Sequence, residues 1–243
     1  VFMLPAIAAL RPDVARAMLE YRIRRLPAAR ALAMRQGVRG ARFPWESAID
    51  GTDVTPPHIT DGHGDLIPIH TGELEEHVVA DVAWAAREYE AWTGDRALFA
   101  GPGRDLVLDT ARYWAGRVRI ESDGRGHVRG VMGPDEYHDK VDDNAFTNVM
   151  ARWNLRSAAD LVDEHGGDRR EAASWRALAD RIHDGWDPAR GCYEQFEGYW
   201  NLEPLIAERI APRPFAAAML LGAERVARSQ LVKQPDVLML HHL

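Results

Sequence analysis

Apolar residues recur along most of this chain at the spacing of amphipathic helices. Between residues 12 and 23, Val14, Met18, Leu19 and Ile23 fall at positions i, i+4, i+5 and i+9, which predicts one helix with an apolar face. Pro12 suits its first turn, because a proline there loses no helical hydrogen bond. Comparable patterns, each followed by Gly, Pro or Asp-rich breaks, cover residues 26–36, 73–93, 103–118, 144–165, 168–185 and 214–230. The chain is therefore expected to contain seven helices.

Strand-like composition is confined to two short segments, residues 66–70 and 128–132. Two such segments are too few to build a sheet, so the expected fold class is mainly α. Helical periodicity alone does not distinguish a barrel of paired helices from a bundle or a solenoid.

Composition and charge narrow the function classes. The chain has 243 residues with 46% hydrophobic content, which suffices for one globular domain with a sizeable core. Its 30 basic and 37 acidic residues give a net charge of -7, spread along the chain, which argues against nucleic acid or an anionic membrane as partner. A neutral sugar would be compatible. Cys192 is the single cysteine, so an internal disulfide framework is excluded and a reducing compartment is compatible.

The two ends of the chain lead to expectations about location and completeness. No apolar stretch is long enough to span a bilayer, and the first residues lack the charged region of a signal peptide. A cytoplasmic protein is therefore expected. The chain starts at Val1 instead of Met and stops at Leu243 without a cap or polar tail. We therefore expect residues 1–243 to be a fragment, truncated at both ends.

The run Gly-Pro-Asp-Glu-Tyr-His at residues 133–138 carries the strongest candidate for catalysis. A Gly-Pro-Asp run ends helices, and Asn144 is a good cap for the apolar helical pattern that follows. Glu136 is thus expected on a loop before a helix. Flanked by Pro134 and Tyr137, its carboxyl group is expected to have a raised pKa and to act as a general acid. The alternative is a solvent-exposed Glu in a turn.

A long loop, residues 38–72, carries the second set of candidates. Trp45 offers an indole face for the C–H face of a pyranose, and Glu46 offers a carboxylate for its hydroxyl groups. An equally weighted alternative is that Trp45 anchors the loop by burial. His58 and His63 have metal-ligand side chains, but a third ligand at a suitable spacing is missing. No metal site is expected.

The motif at residues 133–138, followed by Asp-Asp-Asn-Ala-Phe-Thr-Asn at 142–148, resembles the pattern G-P-D-E-Y-H-x(3)-N-N-N-A-[YF]-T-N of glycoside hydrolase family 65. That family contains maltose, trehalose and kojibiose phosphorylases and some α-glucoside hydrolases. Further similarities occur in the family's order: Phe2-Met3-Leu4-Pro5, Tyr21-Arg22, Leu26-Pro27-Ala28-Ala29-Arg30, Gly40-Ala41-Arg42-Phe43-Pro44-Trp45-Glu46-Ser47, Thr93-Gly94-Asp95, Ala111-Arg112-Tyr113-Trp114 and Lys233-Gln234-Pro235-Asp236-Val237.

The resemblance implies that residues 1–243 form a central part of an (α/α)6-barrel catalytic domain. It makes Glu136 the general acid, and it places Trp45 and Glu46 in the subsite of the acceptor sugar. Lys233 and Gln234 match the family's K-Q-A-D motif, which binds the transferred sugar, although Pro235 replaces Ala. No cofactor or metal is implied, and a homodimer of the full-length parent is compatible with the family.

The implied reaction is inverting cleavage of an α-glucosidic bond. Inorganic phosphate is the co-substrate if the protein is a phosphorylase, and water replaces it in a hydrolase. The resemblance places the residues on the nucleophile side beyond the Lys233 motif. Asp142 and Asp143 stand where phosphorylases commonly have Asn, and extra carboxylates near Glu136 would repel phosphate, which slightly favours hydrolysis. An alternative from a different functional class is a sugar-binding or structural helical domain that catalyses no reaction.

Overall fold

The computed structural model describes residues 3–60, 64–211 and 216–242. The described part is mainly helical. Its α-helices are α1 Met3–Leu10, α2 Pro12–Arg24, α3 Leu26–Arg35, α4 Thr71–Leu74, α5 Val78–Thr93, α6 Pro102–Arg117, α7 Ala145–His165, α8 Arg169–Ala179, α9 Ala217–Leu221, α10 Ala223–Ala227 and α11 Asp236–Leu240. Short 3-10 turns cover Arg96–Leu98, Tyr199–Asn201 and Ala207–Arg209.

Three two-stranded antiparallel ribbons lie between the helices. They pair β1 His58–Thr60 with β2 Leu66–Pro68, β3 Arg119–Ile120 with β4 Gly126–His127, and β5 Trp186–Asp187 with β6 Cys192–Tyr193. The predicted strand at 66–70 is therefore present in shorter form. Residues 128–132 contribute one isolated bridge, Val131 to Val141, instead of a ladder.

Helix α7 lies at the centre of the packing, in contact with α5, α6, α8 and α11. Phe146 and Leu155 of α7 are fully buried, as are Trp114 of α6 and Trp175 of α8. Large apolar side chains removed from water on several helices at once supply the main stabilisation of such a core.

Helices predicted from periodicity match α2, α3, α6 and α7 closely, but three others differ. The predicted helix 73–93 is interrupted after α4, because the carbonyl of Leu74 accepts a hydrogen bond from the backbone N–H of Met132 at 2.9 Å. The helix predicted over 168–185 ends at Ala179, because the backbone of the next residues bonds to Gly126. The helix predicted over 214–230 begins outside the described residues and is broken at Gly222, which has φ 80°.

The apolar face predicted for α2 is partly wrong. Leu19 is buried with Ala15, whereas Val14 and Met18 are 38% and 44% exposed. The face that packs inward is thus narrower than the apolar stripe of the sequence. Across the described ranges, no helix combines the length and apolarity needed to cross a membrane.

The loop before α7 is held at both ends. Val131 and Val141 exchange backbone hydrogen bonds of 2.9 and 2.8 Å, which closes the loop that carries Glu136. Asn144 caps α7 by accepting a hydrogen bond from the N–H of Thr147 at 2.9 Å, as its position in the sequence predicts.

Candidate active site

Glu136 lies against two residues almost one hundred positions away in the chain. Its Oε2 is 3.0 Å from Nζ of Lys233, and its Oε1 accepts a hydrogen bond from Nε2 of Gln234 at 2.5 Å. The backbone N–H of Glu136 in turn donates to Oε1 of Gln234 at 3.2 Å. The structure therefore brings together the three residues that the two motifs single out.

The surroundings of Glu136 differ from the desolvated turn expected between Pro134 and Tyr137. Its side chain is 37% exposed, and Lys233 is 48% exposed. The carboxyl group faces open space with an ammonium group and a carboxamide beside it. Such a carboxyl group is accessible to a ligand. The hydrogen-bond donors beside it can also donate to the hydroxyl groups of a sugar.

Trp45 and Glu46 lie on an exposed part of the 38–72 loop. Trp45 is 40% exposed, and its ring meets the ring of His77 edge-on, with centroids 6.1 Å apart. The turn is held by hydrogen bonds from the N–H of Glu46 to Oγ1 of Thr55 and from the N–H of Val54 to the carbonyl of Glu46. The exposure of Trp45 speaks against a purely anchoring role by burial and leaves much of the indole available for stacking.

A buried ionic cluster lies behind Trp45. His77 is bound at Nδ1 by Asp81 at 2.7 Å, and its Nε2 is 3.3 Å from Glu75. Burial alone would lower the pKa of His77, but Asp81 and Glu75 together raise it to about 10. Burial raises the pKa of Glu75, against the opposing effect of His77, and the negative charge of Glu136 raises it further. This electrostatic coupling extends the site from Glu136 towards Trp45.

A second buried carboxyl group belongs to Asp236, at the start of α11. Its Oδ2 accepts a hydrogen bond from Nδ2 of Asn144 at 2.7 Å. Its Oδ1 is buried and has no hydrogen-bond partner in the described part of the chain. Burial raises the pKa of Asp236 to about 7. The end of the Lys-Gln-Pro-Asp motif is thereby tied directly to the cap residue of α7.

Comparison with known proteins identifies the family of the chain. Residues 1–243 match the family model described as the glycosyl hydrolase family 65 central catalytic domain. The chain belongs to glycosyl hydrolase family 65.

Curated relatives in the family include phosphorylases and a glucosidase. The kojibiose phosphorylase of Caldanaerobacter subterraneus subsp. tengcongensis is 34% identical over 257 residues, which cover 99% of this chain and 33% of that protein. The protein-glucosylgalactosylhydroxylysine glucosidase of Gallus gallus is 37% identical over 206 residues, covering 84% of this chain and 28% of that protein. The chain spans about a third of the length of these relatives.

A solved structure shows the same fold. The putative kojibiose phosphorylase from human microbiome superimposes with a TM-score of 0.82 at 20% sequence identity, over 98% of this chain and 35% of that one. The chain is mainly α and forms part of an (α/α)6 barrel, as expected.

The departure of this family 65 chain at Asp142 and Asp143 has a structural explanation. Asp143 is buried, with Oδ2 2.6 Å from Nδ1 of His127 and 3.0 Å from Nη1 of Arg129. Its φ of 51° lies in the left-handed region, where Asp and Asn are the commonest non-glycine residues. Asp142 accepts a hydrogen bond from the N–H of Gly130. His127 and Arg129 pair with Asp143, and Arg129 also contacts Glu121 and Glu197. The expected repulsion of phosphate by Asp142 and Asp143 stays a prediction.

Histidines of the long loop do not assemble a metal site in the ranges that the structure describes. His58 lies on β1, His70 is 3.4 Å from Asp139, and His63 lies outside the described residues.

Sequence reasoning assigned no role to Glu75, His77, Asp81 or Asp236. The sequence offered one indication of this cluster, since Glu75, Glu76 and His77 directly precede the apolar run at 78–80. An apolar run at the start of a helix packs into the core, and the residues just before it are buried with it. For Asp236 the signal was its place in the Lys-Gln-Pro-Asp motif.

Proposed function

We propose that the protein containing this chain cleaves an α-glucosidic bond with inversion, and that Glu136 is its general acid. The substrate is a disaccharide or another small α-glucoside. The observation that carries the proposal is the contact of the Glu136 carboxyl group with Lys233 and Gln234. The proposed proton donor thus lies in direct contact with two side chains that can bind sugar hydroxyl groups. This arrangement suits cleavage of a glycosidic bond at the edge of a bound glucose.

Lys233 and Gln234 bind the transferred glucose. An ammonium group has three donors and a carboxamide has two, whereas each residue uses one such side-chain donor on Glu136. Among the described residues the remaining side-chain donors make no further hydrogen bond, so they are available for the hydroxyl groups of a sugar. The same residues hold Glu136 in place, so binding of the sugar and orientation of the acid are coupled.

Glu136 protonates the leaving oxygen, while the nucleophile attacks the opposite face of the sugar ring. In phosphorolysis the nucleophile is phosphate, and in hydrolysis it is a water activated by a second carboxylate about 6.5–9.5 Å from the acid. Trp45 and Glu46 bind the acceptor sugar, the indole by stacking and the carboxylate by accepting hydroxyl hydrogen bonds. No metal or cofactor takes part in this proposal, and phosphate is a substrate.

Substitution of Glu136 in the full protein that contains this chain tests the proposal. Release of glucose or glucose 1-phosphate from kojibiose, maltose and trehalose is measured with and without phosphate. Glu136→Gln should lower turnover by a factor on the order of 10² to 10⁴, because proton donation to the leaving group is lost. The melting temperature should stay unchanged, since the amide keeps the shape of the side chain.

Glu164→Gln is the matched control, because Glu164 is an exposed glutamate paired with Arg87 far from this loop. It should leave turnover within a few-fold of wild type. NMR of the first product should show the β-anomer. An α-anomer, or a Glu136→Gln variant as active as the control, would refute the proposal, and sugar binding without any turnover by wild type would favour a non-catalytic domain.

A further inference from the structure

Asp135, the neighbour of Glu136 in the chain, is a buried carboxylate with every acceptor site in use. It is 1% exposed. Its Oδ1 accepts hydrogen bonds from the backbone N–H groups of Lys233 at 2.8 Å and Tyr137 at 3.2 Å. Its Oδ2 accepts from Nε2 of Gln195 at 2.9 Å and lies 2.7 Å from Nδ1 of His138. An ionised carboxylate offers about four lone-pair sites, so Asp135 is saturated.

The partners of Asp135 come from three separate parts of the chain. Tyr137 and His138 belong to its own loop, Gln195 lies 60 positions further on, and Lys233 lies 98 positions further on. The side chain of Asp135 thus joins three segments of the chain next to Glu136.

His138 strengthens the same junction. Its Nε2 is 2.9 Å from the carbonyl oxygen of Ser229, which precedes Lys233 in the chain. A carbonyl oxygen only accepts, so Nε2 donates to Ser229, and Nδ1 lies 2.7 Å from Oδ2 of Asp135. His138 thus links Asp135 to the segment that leads to Lys233.

We propose that Asp135 is a positioning residue that fixes Lys233 and Gln234 relative to Glu136. Asp135 holds the backbone of Lys233 directly, and from that backbone the Lys233 side chain reaches Oε2 of Glu136 and Gln234 reaches Oε1. The relative positions of Glu136, Lys233 and Gln234 therefore depend on Asp135. The proposal rests on the proposed role of Glu136 as the acid.

Asp135→Asn tests this support without changing the volume of the side chain. The NH2 group of Asn cannot accept a hydrogen bond, so at least one of the four hydrogen bonds is lost in either orientation of the amide. The backbone of Lys233 is then held less firmly relative to Glu136, either because its own bond is lost or because the side chain at position 135 loses its bond to Gln195. We expect kcat to fall about 10- to 100-fold, because small displacements of catalytic groups have effects of this size.

The dependence on Lys233 separates positioning from a purely structural role. If Asp135 acts through Lys233, the two substitutions affect the same interaction, and their effects on kcat are not additive. In a Lys233→Met background the contact from Lys233 to Glu136 is already absent, so Asp135→Asn should lower kcat by a much smaller factor there than in the wild-type background.

The measurement is kcat and KM of each variant of the full protein, with thermal unfolding of each variant. Asp109→Asn is the control, because Asp109 is similarly buried and ion-paired with Arg30 and Arg112 away from the site. It should change the melting temperature and leave kcat within a few-fold of wild type. Glu136→Gln in the same assay reports on the proposed function itself, so failure of that assignment is distinguished from failure of the positioning role.

An Asp135→Asn protein that folds and keeps the wild-type kcat would overturn the proposal. So would an equal fall in kcat in the Lys233→Met background. If Asp135→Asn does not fold, the decision falls to Gln195→Met, which removes one donor to Oδ2 of Asp135 and changes no charged group. It should lower kcat by a smaller factor, and an unchanged kcat would overturn the proposal.

Discussion

Two carboxyl groups at the site are buried, which their sequence neighbours do not indicate. The negative charge of Glu136 acts on the buried Glu75, and the buried Asp236 accepts a hydrogen bond from Asn144, the cap of α7. Removing a carboxyl group from water favours its neutral form. The stability of the site therefore depends on pH through these groups, and Asp236 gives the clearest test.

Asp236→Asn should become stabilising as the pH rises. The folded-state pKa of Asp236 is raised from 3.8 to about 7, so the stability that its neutral form contributes is fully present below pH 3.8 and is lost as the pH rises through 7. Asn does not titrate and can still accept the hydrogen bond from Asn144. Between pH 5 and pH 8 the difference in unfolding free energy between variant and wild type should grow by on the order of 2 kcal/mol in favour of Asn.

Chemical denaturation at both pH values measures this difference, in which other titrating groups largely cancel. Asp163→Asn serves for comparison, since Asp163 is 57% exposed on the surface of α7. A difference that is the same at pH 5 and pH 8 would show that Asp236 does not titrate in this range and would contradict the prediction.

At the scale of elements, the loop of residues 131–141 is held where the starts of α7 and α11 meet. Asn144 caps α7, and the same side chain donates to Asp236 at the start of α11. Gly133 passes directly over this contact. A Cβ atom on Gly133 would lie 2.2 Å from Oδ2 of Asp236 and 2.3 Å from Nδ2 of Asn144.

Gly133→Ala should therefore destabilise the protein and displace Glu136 from Lys233 and Gln234. Forcing a methyl group into a packed site typically costs about 1–3 kcal/mol, and the displaced loop should lower turnover as well. Urea unfolding and kcat of the full protein measure the two effects. Gly101→Ala is the control, because a Cβ there meets no atom within 4 Å. Equal stability and activity of the two variants would show that the loop relaxes freely.

On the scale of the whole molecule, α1 and α2 present large apolar side chains to solvent. Met3 and Leu10 of α1 are 72% and 80% exposed, and Val14 and Met18 of α2 are 38% and 44% exposed. Neighbouring exposed apolar groups favour association with other protein surfaces.

Residues 1–243 expressed alone should consequently self-associate. Size-exclusion chromatography should give a mass well above the 27.2 kDa of one chain. The double variant Leu10→Lys and Met18→Lys should shift the protein towards the monomer, whereas Arg11→Lys in the same region should not. A monodisperse wild-type monomer would contradict this expectation.

Much of the molecule follows from the sequence alone, because its determinants are local. The 3.6-residue spacing of apolar positions defines α2, α3, α6 and α7, since each helix satisfies its own backbone hydrogen bonds within four residues. The cap at Asn144 and the loop that carries Glu136 follow from neighbouring residues in the same way. Residue types in the motifs at 133–138 and 233–236 identify Glu136, Lys233 and Gln234 as candidates.

Tertiary structure alone decided the rest, because it depends on which distant segments become neighbours. The carbonyl of Leu74 ends α4 by bonding to Met132, and no local pattern encodes that partner. Likewise, Gln234 meets both the N–H and the carboxyl group of Glu136 across 98 positions, and Asp143 pairs with His127 and Arg129. Long-range hydrogen bonds and ion pairs set the orientation of these groups, and they form only when the chain is folded.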